Sequence, residues 1–488
     1  MKLSLYTLFL VFSFVLLPGF DSDTGGLRAQ LLLPAEAVPD MTQSLYRMIR
    51  EKHPAGFQAD YVAALEEARA QVQKTVEAAV RGRDSLPYHE FVGLMAPLQR
   101  ATDCGHLILH PYRDSLTDVR LRENYFPLSM QTVAGTPEYV LQRGVCTATD
   151  SLPPGTVIRS IDGTPTDQLL RWIAPFGGVN DQGNDGASLA LAARGFSLRY
   201  QRYFGKQDSI LLEVAGPGLG PGVRTLYPRH RPYVDPKKAK TDINRTLGFR
   251  FTPDSTTGIL TIRSFSARKF HNGDYRQFIR KAMYDLNATG ADKLIIDLRG
   301  NTGGRSSRII DLFAYLTGDR FRFADRVAVT GTARSPEAES PRQQRRRADG
   351  AVSRRERKLQ KALTRSLKPR KPDQRFHGAV AVLIDELTFS ASGMFARYVQ
   401  GSGRGILVGS TSGASAGVTY GGRSNLDKEK NLIGPNGEFR LLVNNILLQL
   451  PYAEPGNVRP NLSVRPTAED LRAERDVVLE AAVGALTE

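Results

Sequence analysis

The chain has 488 residues, 41% of them hydrophobic and 24% charged, with a formal net charge of +16. That length exceeds what one hydrophobic core usually organises and predicts about two or three domains, while the composition excludes a chain that needs staples to hold a core. Fourteen Lys/Arg against three acids lie between Arg342 and Arg375, so +11 of the +16 sits in one segment, which reads as a solvated face lacking the aromatic interleaving of a single-strand nucleic-acid binder.

In chain order, Lys2 followed by the apolar stretch Leu3 to Phe20 and the polar Asp21 to Gly26 predicts a signal peptide over residues 1–29, cut near Ala29. A retained anchor is the other reading, since roughly 18 apolar residues just span a bilayer. With cleavage, the mature chain has no membrane span and is expected to be exported, periplasmic or extracellular. Export makes Cys104 and Cys146 candidates for one disulfide, and two free thiols are the alternative. No Cys/His cluster has zinc spacing, and neither metal nor cofactor is expected.

Residues 30–104 read as a helical segment, with strong helix formers at Ala63 to Ala68 and Val72 to Val76. Residues 105–248 read as strands and turns. Within them Pro154 to Ile161 is a β run closed by Asp162-Gly163, and 216–248 is a linker or exposed hairpin. From 249 to 488 the pattern becomes α/β. Strands are expected at Gly258–Ile262, Lys293–Leu298, Ala379–Ile384 and Ile406–Val408, with helices at Tyr275–Leu286, Ser306–Leu316 and about Ser390–Gln400. Such strand–turn–helix units imply a mostly parallel sheet covered by helices. A basic insert, 334–376, interrupts them, and Leu359, Ala362, Leu363 and Leu367 give it the spacing of an amphipathic helix.

Two strand-to-helix turns carry candidate chemistry. Asp297-Leu298-Arg299-Gly300-Asn301-Thr302-Gly303-Gly304 is Gly-rich, so free backbone N–H groups can point at a ligand; a tight turn with no ligand needs the same glycines. Asp385 to Gly393 sets Ser390 where a strand hands over to a helix N-terminus, a position suited to a nucleophile and equally to a helix cap. A serine nucleophile needs a base, and spacing does not choose among the seven histidines.

These residues resemble the C-terminal processing (tail-specific) serine peptidases, and within them the tricorn-protease-core-like branch, over nearly all of the mature chain. Asp297 to Gly304 is similar to the family's D-L-R-x-N-x-G-G, Thr388-Phe389-Ser390-Ala391-Ser392 to its T-x-S-A-S/A, and Gly105-His106-Leu107 to its G-H-T. The resemblance implies a ClpP/crotonase-like αβ peptidase core with an N-terminal helical segment and a degenerate PDZ-like module. It implies Ser390 as nucleophile and His106 as base, with an oxyanion hole from the N–H of Ala391 and of Gly303 or Gly304. Tyr452 to Asn461 is similar to that branch's E-x-x-G-V-x-P-D, which implies Glu454 as the orienting carboxylate. The tail-specific branch has a lysine about 25 residues after the serine; here Thr411 to Gly417 holds none, so the implied mechanism is Ser/His. Polypeptide is the implied substrate. Gly393, Ser410 and Asn461 depart from the pattern, and a non-catalytic peptide- or ligand-binding protein on the same fold is the alternative.

Overall fold

The structure is a computed structural model that describes residues 31–112, 125–216, 219–229, 246–266, 272–329, 354–423 and 431–487. The leader expected at 1–29 and much of the basic insert lie outside these residues.

The first part is helical: α1 (Val38–Lys52), α2 (Ala59–Val80) and α3 (Tyr88–Arg100). Their apolar stripes, including Leu45, Ile49, Leu65, Val72, Phe91 and Met95, are fully or almost fully buried in one cluster, as the helical periodicity requires. A six-stranded antiparallel sheet follows. It runs in the order β6-β5-β3-β2-β1, with β1 Met130–Val133, β2 Thr136–Leu141, β3 Val157–Ile161, β5 Ile210–Gly216 and β6 Leu219–Leu226, and β4 (Thr164–Pro165) folding back on β3. The stretch 166–204 differs from the strand-and-turn expectation. It forms three short helices, α4 (Thr166–Ile173), α5 (Asp185–Arg194) and α6 (Phe196–Phe204). Their lengths of 8, 10 and 9 residues and the glycines between them break the helical period before it stands out. Burial of Leu169, Leu170, Ile173, Phe196 and Tyr200 supplies the stabilisation that local propensity does not.

The second sheet holds the site. Its order is β7 (Leu247–Phe251), β8 (Thr257–Ile262), β9 (Lys293–Asp297), β10 (Ala379–Ile384), β11 (Ile406–Gly409) and β12 (Leu462–Ser463), antiparallel between β7 and β8 and parallel thereafter. Register puts Ile259, Ile295 and Ala381 side by side. Alternation along the strands sends Leu260, Ile296 and Val382 to one face and Ile259, Ile295 and Leu383 to the other. The first face packs α7 (Asn272–Thr289), α8 (Ser306–Phe313) and α10 (Ala391–Gly401); the second packs α12 (Val477–Ala485), which follows the short α11 (Ala468–Arg472). The expected core strands and helices are all present, and the αβ architecture stands. Of the basic insert, α9 (Arg354–Thr364) is described, with Leu363 and Leu367 packed against the core as the amphipathic spacing predicts. Cys104 is buried and Cys146 exposed, and both are free thiols, so the disulfide is not formed.

Candidate active site

β10 ends at Ile384, and six residues later the chain makes a strained turn into α10. Ser390 holds φ 55° and ψ −125°, a conformation that costs a non-glycine residue about 1–3 kcal/mol. Its side chain makes no capping hydrogen bond, which removes the helix-cap reading of this residue. Ser392, two residues further on, is fully buried and committed. Its Oγ accepts from the Phe389 N–H at 2.9 Å, and its hydroxyl lies within bonding reach of the Asn301 and Phe389 carbonyls. Of the two serines, Ser390 is the one with a hydroxyl left for chemistry, set on the kind of sharp strand-to-helix bend that presents a nucleophile.

The Gly-rich turn is stitched to this elbow. The Phe389 N–H donates to the Asn301 carbonyl at 3.1 Å, and Thr388 Oγ1 donates to the Leu298 carbonyl at 3.2 Å. Asn301 is wholly buried; its Nδ2 donates to the Ile262 carbonyl and its Oδ1 accepts from the Gly303 N–H, both at 2.9 Å. Gly303 has φ 98°, and a Cβ there would lie 2.7 Å from Ser390 Cβ and 3.0 Å from the Ala391 nitrogen. The elbow can close on the turn only because that position lacks a side chain. These bonds also separate the two glycines. The Gly303 N–H is spent on Asn301, whereas no partner is found among the described residues for the N–H of Gly304 or of Ala391.

Beneath the turn, charges lock its base. Arg299 pairs with Asp297 at 2.9 Å and with Asp476 at 2.7 Å. Burial opposes ionisation of Asp297, but Arg299 and Arg263 outweigh it and hold the carboxyl below its usual range. Asp385 accepts from the Gly300 N–H at 2.9 Å and pairs with Arg194 at 2.6 Å.

His106 comes from the other half of the molecule, in the tight segment after α3. Its ring lies on that of Phe389, centroids 4.4 Å apart, so the imidazole sits over the residue next to Ser390. The side chain is 16% exposed, and neither ring nitrogen has a hydrogen-bond partner among the described residues. The carboxylate facing it is Asp181, with Oδ1 3.7 Å from His106 Nδ1. Sequence reasoning missed Asp181, because the loop Gly177 to Gly183 has no periodicity and matches no motif. Glu454 is paired with another group: its side chain is 62% exposed and bonds to Arg397. The physical reason is that Arg397 on α10 is almost fully buried and takes this carboxylate as its counter-charge. No bond joins Glu454 to His106 among the described residues.

Neighbouring groups are excluded as rivals. His53 is fully buried against Tyr420, ring centroids 4.7 Å apart. Burial, reinforced by the charge of His106, pushes its pKa down to about 3, so it stays neutral. Burial and then the Asp181 charge push the Cys104 thiol well up, which removes it as a nucleophile. Among the described residues, no group of His, Cys, Asp and Glu is placed to hold a metal ion.

Residues 256–428, which contain Gly303, Gly304, Ser390 and Ala391, match peptidase family S41. Over those residues the αβ core of this chain is similar to that family, and the protein is a serine-type peptidase. Mature CPAF superposes with a TM-score of 0.59 at 14% sequence identity, over 93% of this chain and 96% of that one. Mature CPAF complexed with lactacystin gives 0.59 at 14% identity, over 93% and 98%. The photosystem II D1 C-terminal processing protease gives 0.40 at 13% identity, over 88% and 94%. What the two CPAF structures share with this chain is the fold. No curated protein matches the sequence.

Proposed function

We propose that the chain is an exported peptidase that cleaves polypeptides by a Ser/His mechanism with Ser390 as nucleophile. The observation that carries this reading is the strained, uncapped Ser390, whose neighbour Phe389 carries the His106 ring, on an elbow joined to the Gly-rich turn where the N–H groups of Ala391 and Gly304 have no partner among the described residues. Ser390 Oγ attacks the scissile carbonyl as His106 takes its proton. The resulting oxyanion is held by the Ala391 and Gly304 N–H groups, the former at the positive end of α10. Collapse expels the amine, which receives the proton from His106, and water then releases the acyl group by the same steps. Among the described residues the His106 nitrogens have no hydrogen-bond partner, a looseness common before substrate binds.

Export rests on the apolar Leu3 to Phe20 after Lys2. The antiparallel sheet β1–β6 with α4 is the part we read as PDZ-like, suited to gripping an extended peptide by strand addition. The test is hydrolysis of casein or a fluorogenic peptide. Ser390→Ala is expected to lower kcat at least about 10³-fold while leaving the fold intact; wild-type turnover in that variant removes Ser390 from the mechanism. Peptide affinity without turnover in the unmodified chain would favour the binding-protein reading.

A further inference from the structure

We infer that Asp181 is the positioning residue of this site, holding the His106 imidazole through its Nδ1–H. The inference rests on the Ser390/His106 reading above and goes beyond it, since that reading leaves the orienting carboxylate open once Glu454 is found on Arg397.

Asp181 is 0% exposed, and a buried carboxylate is costly unless it is bonded and charge-compensated. Bonds it has: Oδ1 accepts from the Gly105 N–H at 2.8 Å, and Oδ2 from the Ser415 N–H and the Thr419 hydroxyl, both at 3.3 Å. A carboxylate offers about four acceptor sites, so one on Oδ1 remains, on the atom that faces His106. Among the described residues, its sole ion-pair partner is His106. The groups around this pair do not replace it. His53 is held neutral by burial, Cys104 and Tyr420 are pushed further toward their neutral forms, first by burial, and Asp103 carries the same sign as Asp181 and is itself raised by burial. Among the described residues, the carboxylate's one route to compensation is an imidazole that becomes cationic, which is what a general base does during acyl transfer.

The backbone is built to keep that geometry. The Val179 N–H donates to the Gly105 carbonyl at 3.1 Å, the Gln182 N–H to the Asp103 carbonyl at 3.1 Å, and the Asp181 N–H to the Gly413 carbonyl at 3.0 Å. A Cβ on Gly105, the residue before His106, would lie 2.6 Å from the Asp181 nitrogen, so the two segments touch only because glycine is there. Backbone strain collects around this contact. Asp103, Val179 and Gln182 hold φ of 50°, 62° and 59°, and a positive φ is a genuine outlier for the β-branched Val179. Strain retained at that density marks a functional constraint. In catalysis Ser390 gives its proton to His106 Nε2 while Nδ1–H donates to Asp181 Oδ1, the ring rotating to close the 3.7 Å gap. Asp181 acts as acceptor throughout and fixes which tautomer is present.

The experiment compares Asp181→Asn, Glu454→Gln and Ser390→Ala in steady-state hydrolysis across pH. Asp181→Asn is expected to lower kcat about 10²–10⁴-fold, leave KM within about twofold, and move the acid limb of kcat/KM to lower pH because the negative charge stabilising the imidazolium is gone. Glu454→Gln is expected to stay within about threefold with an unmoved limb. Wild-type kcat and an unmoved limb in Asp181→Asn, or the drop appearing in Glu454→Gln instead, overturns the inference while Ser390→Ala remains dead. Activity in Ser390→Ala overturns the underlying reading instead. Should Asp181→Asn not fold, the low-field Nδ1–H resonance of the Ser390→Ala chain decides. Its presence, with loss in an added His106→Gln change, supports the pair, and its absence contradicts it.

Discussion

At the scale of single residues, the site depends on groups that cannot be enlarged or charged. Gly303→Ala puts a Cβ 2.7 Å from Ser390 Cβ at a φ of 98°. It is expected to cost about 1–3 kcal/mol of stability and at least about 10²-fold in kcat/KM through the displaced elbow, measurable by denaturation and peptide hydrolysis. His53 makes a pH prediction. Its native pKa is pushed down to about 3 from 6.5, so the unfolded chain binds a proton that the native chain refuses between those values. Stability from this group is complete above pH 6.5 and falls as pH drops toward 3, by up to about 1.4 kcal/mol per unit. Acid unfolding followed by circular dichroism should be steeper in the wild type than in His53→Gln; equal slopes would contradict it. The strand ends and bends that carry Ser390 and the two glycines were legible in sequence because that pattern is local. The carboxylate facing His106 was not. Asp181 reaches His106 through a loop that only tertiary packing brings near, and Glu454 carried a motif likeness but was claimed by the buried Arg397.

At the scale of elements, the Gly-rich turn is braced from the far face of the sheet. Arg299 spans Asp297 at the end of β9 and Asp476, whose side chain also caps α12 through the Leu479 N–H at 3.1 Å. Arg299→Ala is expected to cost about 3 kcal/mol, because Asp297 is left buried with Arg263 as its remaining cation. Asp476→Ala should cost about 1–2 kcal/mol through the lost cap, and the double mutant less than the two together, since both remove one pair. Thermal unfolding of the three variants checks this, and strict additivity would mean that the brace is not shared. The parallel strands were readable from sequence because both their faces are buried and their apolar runs are continuous. The helices α4 to α6 were not, since each is too short for its period to outweigh the surrounding glycines.

At the scale of the whole molecule, the groups of the proposed site come from two cores. Cys104 and Leu107, which flank His106, lie in the core that contains α1 to α3. Phe389 and Ala391, which flank Ser390, lie in the core of the parallel sheet. The site is the seam between them, so a chain that keeps residues 247–488 alone holds Ser390 and Gly304 without a base. It is expected to show no turnover above background in the peptide assay, and turnover in it would mean that His106 is dispensable. The most direct measurement of the central claim is covalent. A fluorophosphonate probe should label the intact protein at one site, and peptide mapping by mass spectrometry should place the adduct on Ser390, with labelling slowed at least about 10²-fold in His106→Gln. Labelling at another serine, or equal labelling of the wild type and Ser390→Ala, would contradict the account.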